Sequence, residues 1–190
     1  MKLYHGSRNA GIQVLEPRQA DHGKPYVYLT EIEAVAAIYL CNGAEPPYYW
    51  FPYGFEKESR IPVYHEIYPD ALKDIAQGVK GYIYEVEAEE SQLTDLKGIP
   101  CAKLSQEPLK TVGCREVPDA YELLREFVRL GKMKVSRYED KTEKQLDWWY
   151  NGIAEELKSQ NMIEKQDCSY AVFMKTKLPQ VWEKYLSLIG

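Results

Sequence analysis

Two short strand-like segments, Leu3-Tyr4-His5-Gly6-Ser7-Arg8 and Tyr26-Val27-Tyr28-Leu29-Thr30, constrain this chain most. The first runs from apolar residues into an imidazole, a glycine and a hydroxyl, so one strand end offers both backbone amides and a ring nitrogen. The second alternates aromatics and passes into Thr30-Glu31-Ile32-Glu33, a Thr-x-x-Glu capping box that predicts a helix start. A strand that turns directly into a helix leaves Tyr28 at a rim. Ala34, Ala37 and Ile38 then give that helix an apolar face.

The remaining patterns predict an α+β fold. Gly81 to Ala88 alternates as a half-buried strand does, and Cys101 to Leu104 and Leu109 to Cys114 are further strand candidates. With the two N-terminal strands they make a mixed, mostly antiparallel sheet. A short helix follows Pro69-Asp70 and stops at Gly78. From Asp119 onward the chain reads as chiefly helical: Asp119-x-x-Glu122 and Thr142-x-x-Gln145 open two helices, Tyr170 to Met174 reads as a last strand, and Pro179 starts a final helix. Between these parts, Pro46, Pro47, Pro52 and Pro62 argue against regular central strand, so residues 42–68 read as a long aromatic excursion, either a lid or a plug on a sheet edge. Adjacent Trp148 and Trp149 cannot both face one helix's core, so one of them marks a seam or an exposed contact.

The 190 residues fit one domain, and a net charge of -5 gives no general attraction to phosphate backbones, which makes a nucleic-acid partner unfavourable. Cys41, Cys101, Cys114 and Cys168 form no Cys-x-x-Cys pair, and His65-Glu66 has no second histidine nearby, so no metal site is expected. No apolar run approaches membrane-spanning length and the start has no apolar signal core; a cytoplasmic protein with reduced thiols, away from membranes, is the expectation. No glycine-rich phosphate loop occurs.

His5-Gly6-Ser7-Arg8, Gly23-Lys24, Tyr28 and a second tyrosine eleven positions on, Tyr39, resemble the nicotinamide-binding elements of poly(ADP-ribose) polymerases and the wider ADP-ribosyltransferase superfamily. The resemblance covers roughly residues 2–40. It implies a split mixed sheet with helices around an NAD cleft, formed by residues 1–118 with the 42–68 loop, and a mainly helical part at 119–190. It also implies NAD as substrate and transfer of ADP-ribose to a macromolecular acceptor, a protein in preference to a nucleic acid. In that family's manner His5 would hold the adenosine-side ribose, and Gly6 would offer its backbone to the nicotinamide amide with Ser7 and Arg8 beside it. Tyr28 and Tyr39 would wall the nicotinamide slot. Ala36 stands where the polymerases carry a serine that binds nicotinamide. Glu107, directly before the strand starting at Leu109, is the best-placed counterpart of the family's catalytic carboxylate, although Pro108 follows it in place of an aromatic or aliphatic residue. Three other functions fit less of the pattern: a catalytically silent binder of NAD or ADP-ribose, an RNA 2′-phosphotransferase-type enzyme, and a protein-interaction scaffold presenting Trp148 and Trp149.

Overall fold

The computed structural model describes residues 1–19, 24–41 and 53–190. Its ten strands are β1 (Lys2–Ser7), β2 (Val14–Leu15), β3 (Val27–Thr30), β4 (Tyr53–Phe55), β5 (Pro62–His65), β6 (Gly81–Glu87), β7 (Thr94–Asp95), β8 (Ala102–Ser105), β9 (Leu109–Val117) and β10 (Lys134–Ser136). The α-helices among the described residues are α1 (Glu33–Cys41), α2 (Ala71–Ala76), α3 (Ala120–Arg129), α4 (Glu143–Ser159), α5 (Ser169–Lys177) and α6 (Pro179–Ile189). The class is α+β. The chain forms two compact units, Met1–Gly43 with Ile75–Met133, and Ala44–Asp74 with Lys134–Gly190.

The first unit holds a seven-stranded sheet in the order β2-β9-β6-β1-β3-β8-β7, with antiparallel neighbours throughout. This sheet cannot be flat. β8 and β9 stand four places apart in that order, about 19 Å at normal strand spacing. Yet Ser105, the last residue of β8, is four residues from Leu109, the first of β9, and that stretch of chain spans at most about 14 Å. The sheet must therefore bend between them; within it, the pairing of β1 with β3 is Tyr4 opposite Thr30, and the β6/β9 ladder carries a register shift at Glu85 and Val86. A single core cluster agrees with this: Leu3, Val86 and Leu109 from one half lie with Val27 and Leu29 from the other. Each such fully buried aliphatic side chain contributes about 1.5–3 kcal/mol.

α1 lies against β1, and its composition explains how closely. Ala34, Ala36 and Ala37 present little bulk, and Gly6 presents none: a Cβ at Gly6 would overlap the Ala36 carbonyl oxygen and sit 3.1 Å from the Leu40 amide nitrogen. Gly81, in the neighbouring strand, is confined in the same way, a Cβ there lying 2.6 Å from the Ser7 carbonyl oxygen. All residues of α1 from Ala34 to Cys41 are buried except Tyr39. The helix begins at Glu33. Thr30 makes no capping box; its Oγ1 accepts from the Ile32 amide at 3.1 Å and shapes the turn ahead of the helix. At α3 the local signals operate as read: Asp119 accepts from the Tyr121 and Glu122 amides, and Gly131 takes a positive φ of 69° just past the helix end.

In the second unit β10, β5 and β4 form a small sheet, with β10 parallel and β4 antiparallel to β5. This corrects the expectation of an irregular excursion over residues 53–68. Pro62 is tolerated because it is the first residue of β5, where a missing amide costs least. The rest of that excursion, residues 42–52, lies outside the described residues. A second correction concerns Tyr170 to Met174, which is helical within α5. The Cys168 sulfur accepts from the Ala171 amide at 3.5 Å, and Tyr170, Ala171 and Met174 fall on a buried face at helical spacing. α4 starts with the expected capping box between Thr142 and Gln145. The buried Glu66 carboxylate accepts from the Leu72 amide and so caps α2, while the Lys141 ammonium donates to the Ser136 and Arg137 carbonyls. Trp149 packs beside the His65 ring at 5.6 Å, and Trp148 is the exposed member of the pair at 68%.

Candidate functional site

β1 pairs with β6 along its whole length, from Lys2 opposite Glu87 to Ser7 opposite Tyr82. On its other side, pairing with β3 is at Tyr4. His5, Gly6 and Ser7 follow that pairing along β1. His5 reaches across to β3: its Nδ1 lies 2.8 Å from the Tyr28 carbonyl oxygen. A carbonyl only accepts, so Nδ1 carries the hydrogen, and Nε2 of the neutral ring presents a lone pair. Burial depresses the His5 pKa below 6.5, the Tyr28 hydrogen bond opposes that shift, and the Arg18 charge adds to it. At pH 7 the imidazole is a neutral acceptor held in one tautomer.

Tyr26 and Tyr28 meet edge to face with ring centroids 6.3 Å apart, and Tyr28 is half-buried. Arg18, in the irregular segment before β3, pairs its backbone with Tyr26 through two hydrogen bonds of 3.0 and 3.1 Å. The structure thus brings His5, Tyr26, Tyr28 and Arg18 together. Arg18 belongs to no motif, and no local sequence signal links it to Tyr26. Tyr39 is 39% exposed on the helix that Gly6 admits. Ser7 Oγ accepts from the Asn9 amide at 3.2 Å, which ties it into the turn that follows β1. Arg8 is exposed, and its charge reaches Cys41, whose thiol is nevertheless pushed up to about 12 by burial. Burial thus favours the protonated thiol of Cys41.

Glu107 stands on the link between β8 and β9. Its amide donates to Ser105 Oγ at 3.1 Å, and Ser105 Oγ donates back to its carbonyl at 2.9 Å, so the backbone is fixed in a tight turn. The Glu107 carboxylate is exposed, and no hydrogen bond or ion pair joins it to His5 or Tyr28 among the described residues. Gly23, the other motif residue, lies outside them. A cavity of about 470 Å³ lined by Met1, Lys2, Glu87, Ala88, Glu89 and Gln92 is separate from these groups. Among the described residues no group of three His, Cys, Asp or Glu side chains is placed to hold a metal ion, and no helix is long and apolar enough to cross a membrane.

No family model, no curated protein and no solved structure matches this chain.

The two described histidines with shifted pKa values predict a direction for pH-dependent stability. His65 is depressed by burial and by the Lys141 charge, as His5 is by burial and Arg18. In both, the folded pKa lies below the unfolded value, so the unfolded chain takes up protons first as pH falls. Stability is therefore full above about pH 6.5 and declines as the pH drops below it. Melting temperatures measured from pH 7.5 to 5 should fall, and H5N and H65N together should flatten the curve above the carboxylate range.

Proposed function

We propose that this protein binds NAD where His5 of β1 meets Tyr28 of β3 and transfers its ADP-ribose to a macromolecular acceptor. The observation that carries the reading is the His5 Nδ1 hydrogen bond to the Tyr28 carbonyl. It locks together the two strand motifs whose resemblance suggested the site, and it leaves Nε2 free to accept from a ribose hydroxyl. The edge of β1 at Gly6, past the Tyr4 pairing with β3, would offer backbone groups to the nicotinamide amide. Tyr28 and the exposed Tyr39 supply rings for stacking, which holds a flat heterocycle without needing charge. Cleavage of the ribose–nicotinamide bond passes through an oxocarbenium-like state, for which positioning and a nearby carboxylate count more than a strong nucleophile.

In this mechanism His5 orients the adenosine ribose, the β1 edge and the tyrosines hold the leaving nicotinamide, and Glu107 supplies negative charge as the ribose carbon becomes cationic. A second reading has its own support. Glu107 is exposed, and its hydrogen bonds among the described residues are those of its backbone with Ser105, as in a silent NAD or ADP-ribose binder. The two are separated by incubating the purified protein with NAD labelled in the adenylate half, then measuring released nicotinamide and label on protein. Release with labelled protein supports transfer. Binding without release supports the silent binder, and neither binding nor release contradicts both.

A further inference from the structure

In the second unit the first two turns of α4 are thinly attached. Of residues 143–149, Leu146 and Trp149 are half-buried and the others exposed; Tyr150, which follows, is buried and its hydroxyl donates to the Ile67 carbonyl at 2.9 Å. Trp149 reaches the His65 ring with centroids 5.6 Å apart and planes tilted by 40°, and the exposed Trp148 meets Trp149 edge to face at 4.7 Å. The Asp147–Lys184 ion pair is solvent-exposed at the aspartate and adds little. His65 itself is closely bounded. A Cβ at Gly54 of β4 would sit 3.7 Å from its Nε2, and Ser136 of β10 is its neighbour in register. Beside it the Lys141 ammonium is held in place, donating to the Ser136 carbonyl at 2.6 Å, the Ser136 hydroxyl at 2.8 Å and the Arg137 carbonyl at 3.1 Å. Other charges nearby are engaged elsewhere: Lys134 pairs with Glu56, Arg137 with Glu139, and the Glu66 carboxylate accepts from the Leu72 amide. Glu66, Asp140 and Glu139 act on the Lys141 ammonium, whereas the charge that acts on the His65 ring is that of Lys141. A proton on His65 therefore sets a second positive charge beside a fixed one, in a half-buried position where the charged form is poorly solvated.

We propose that the His65–Trp149 contact is an acid-sensitive latch: when the imidazole takes up a proton, the first two turns of α4 lift from β5 while the helix from Tyr150 onward stays docked. At pH 7 the ring is neutral and the latch closed, since burial and the Lys141 charge hold the His65 pKa below its ordinary value. In the released form the ring is in water and titrates near its ordinary pKa of about 6.5, so that form takes up protons first as the pH falls. The latch is at full strength above about pH 6.5 and weakens below it. A segment with few buried side chains opens locally, without the rest of the fold, and residues 143–149 meet that condition. Release exposes Trp149 beside Trp148 and does not depend on NAD binding by the first unit.

The test is amide hydrogen exchange on the full chain between pH 7.5 and 5, read as protection relative to the unstructured rate at each pH, for wild type, H65Q, H65N, K141Q and K141R. Melting curves at pH 7.5 confirm that each variant folds, and H65N stands in if H65Q does not. Wild-type amides of residues 146–149 should lose protection as the pH falls, while those of residues 153–157 keep theirs. The non-titrating variants should show no such loss. K141Q, which removes the repelling charge, should lose less protection than wild type, and K141R, which keeps it, should lose as much. Constant protection of residues 146–149 in wild type, or the same loss in H65Q and H65N, overturns the inference. So does protection that rises on acidification, the result if attraction of the imidazolium to the indole face dominates. A parallel loss at residues 153–157 is global unfolding and overturns it as well, and a K141Q loss equal to that of wild type overturns the role of Lys141.

Discussion

Replacing Gly6 by alanine is expected to destabilise the first unit by about 3 kcal/mol, the upper part of the usual range for overpacking. The added methyl group would meet the backbone carbonyl of Ala36, which no side-chain rotation can move away. Relief requires α1 to lift from β1, exposing Leu40 and neighbouring buried residues on the helix. For a chain of this size the melting temperature should fall by roughly 6–12 °C. A G6A variant that melts with wild type would show that α1 does not approach β1 as described. The result bears on function as well, because Gly6 has an evident structural role at α1 before any ligand is considered. Loss of activity in G6A, taken alone, would not identify a nicotinamide contact.

The isosteric change E107Q is expected to reduce transfer by about a hundredfold or more while changing NAD affinity less than about twofold, since the charge acts chiefly as oxocarbenium character develops. Folding should be unaffected, because the turn at Glu107 is held by its backbone and Ser105 and its side chain is exposed. Steady-state kinetics and a binding titration on the same preparation distinguish the two effects. Full activity in E107Q would remove Glu107 from the mechanism.

Elements were legible in the sequence where their signals are local. Asp119 and the Thr142 and Gln145 pair cap helix starts through hydrogen bonds to residues two or three positions away, Pro179 opens α6, and Gly78 and Gly131 take positive φ just past the ends of α2 and α3. The alternation at Gly81 to Glu87 likewise marks β6. Tyr170 to Met174 was not legible because a five-residue apolar run satisfies strand and helix periods alike. β5 was hidden by Pro62, whose meaning depends on whether it opens a strand or interrupts one. At the site, the strand motifs placed His5 and Tyr28 on neighbouring strands, yet the features that give them chemical character are non-local. The bend of the sheet, the imidazole reaching the Tyr28 carbonyl, the Ala36 oxygen against Gly6 and the pairing of Arg18 with Tyr26 all join positions well separated along the chain.

The central claim is that the neutral His5 ring belongs to an NAD site. Calorimetric titration of NAD into wild type and H5A, with imidazole nitrogen spectra recorded on the wild type, tests it most directly. The account predicts saturable binding with one NAD per chain, a His5 Nδ1–H tautomer before addition, and a shift of the His5 Nε2 signal on binding. It also predicts affinity at least about tenfold weaker in H5A, the loss of a buried hydrogen bond and its orienting role. Absence of NAD binding by wild type, or equal binding by H5A with an unmoved His5 signal, would contradict it.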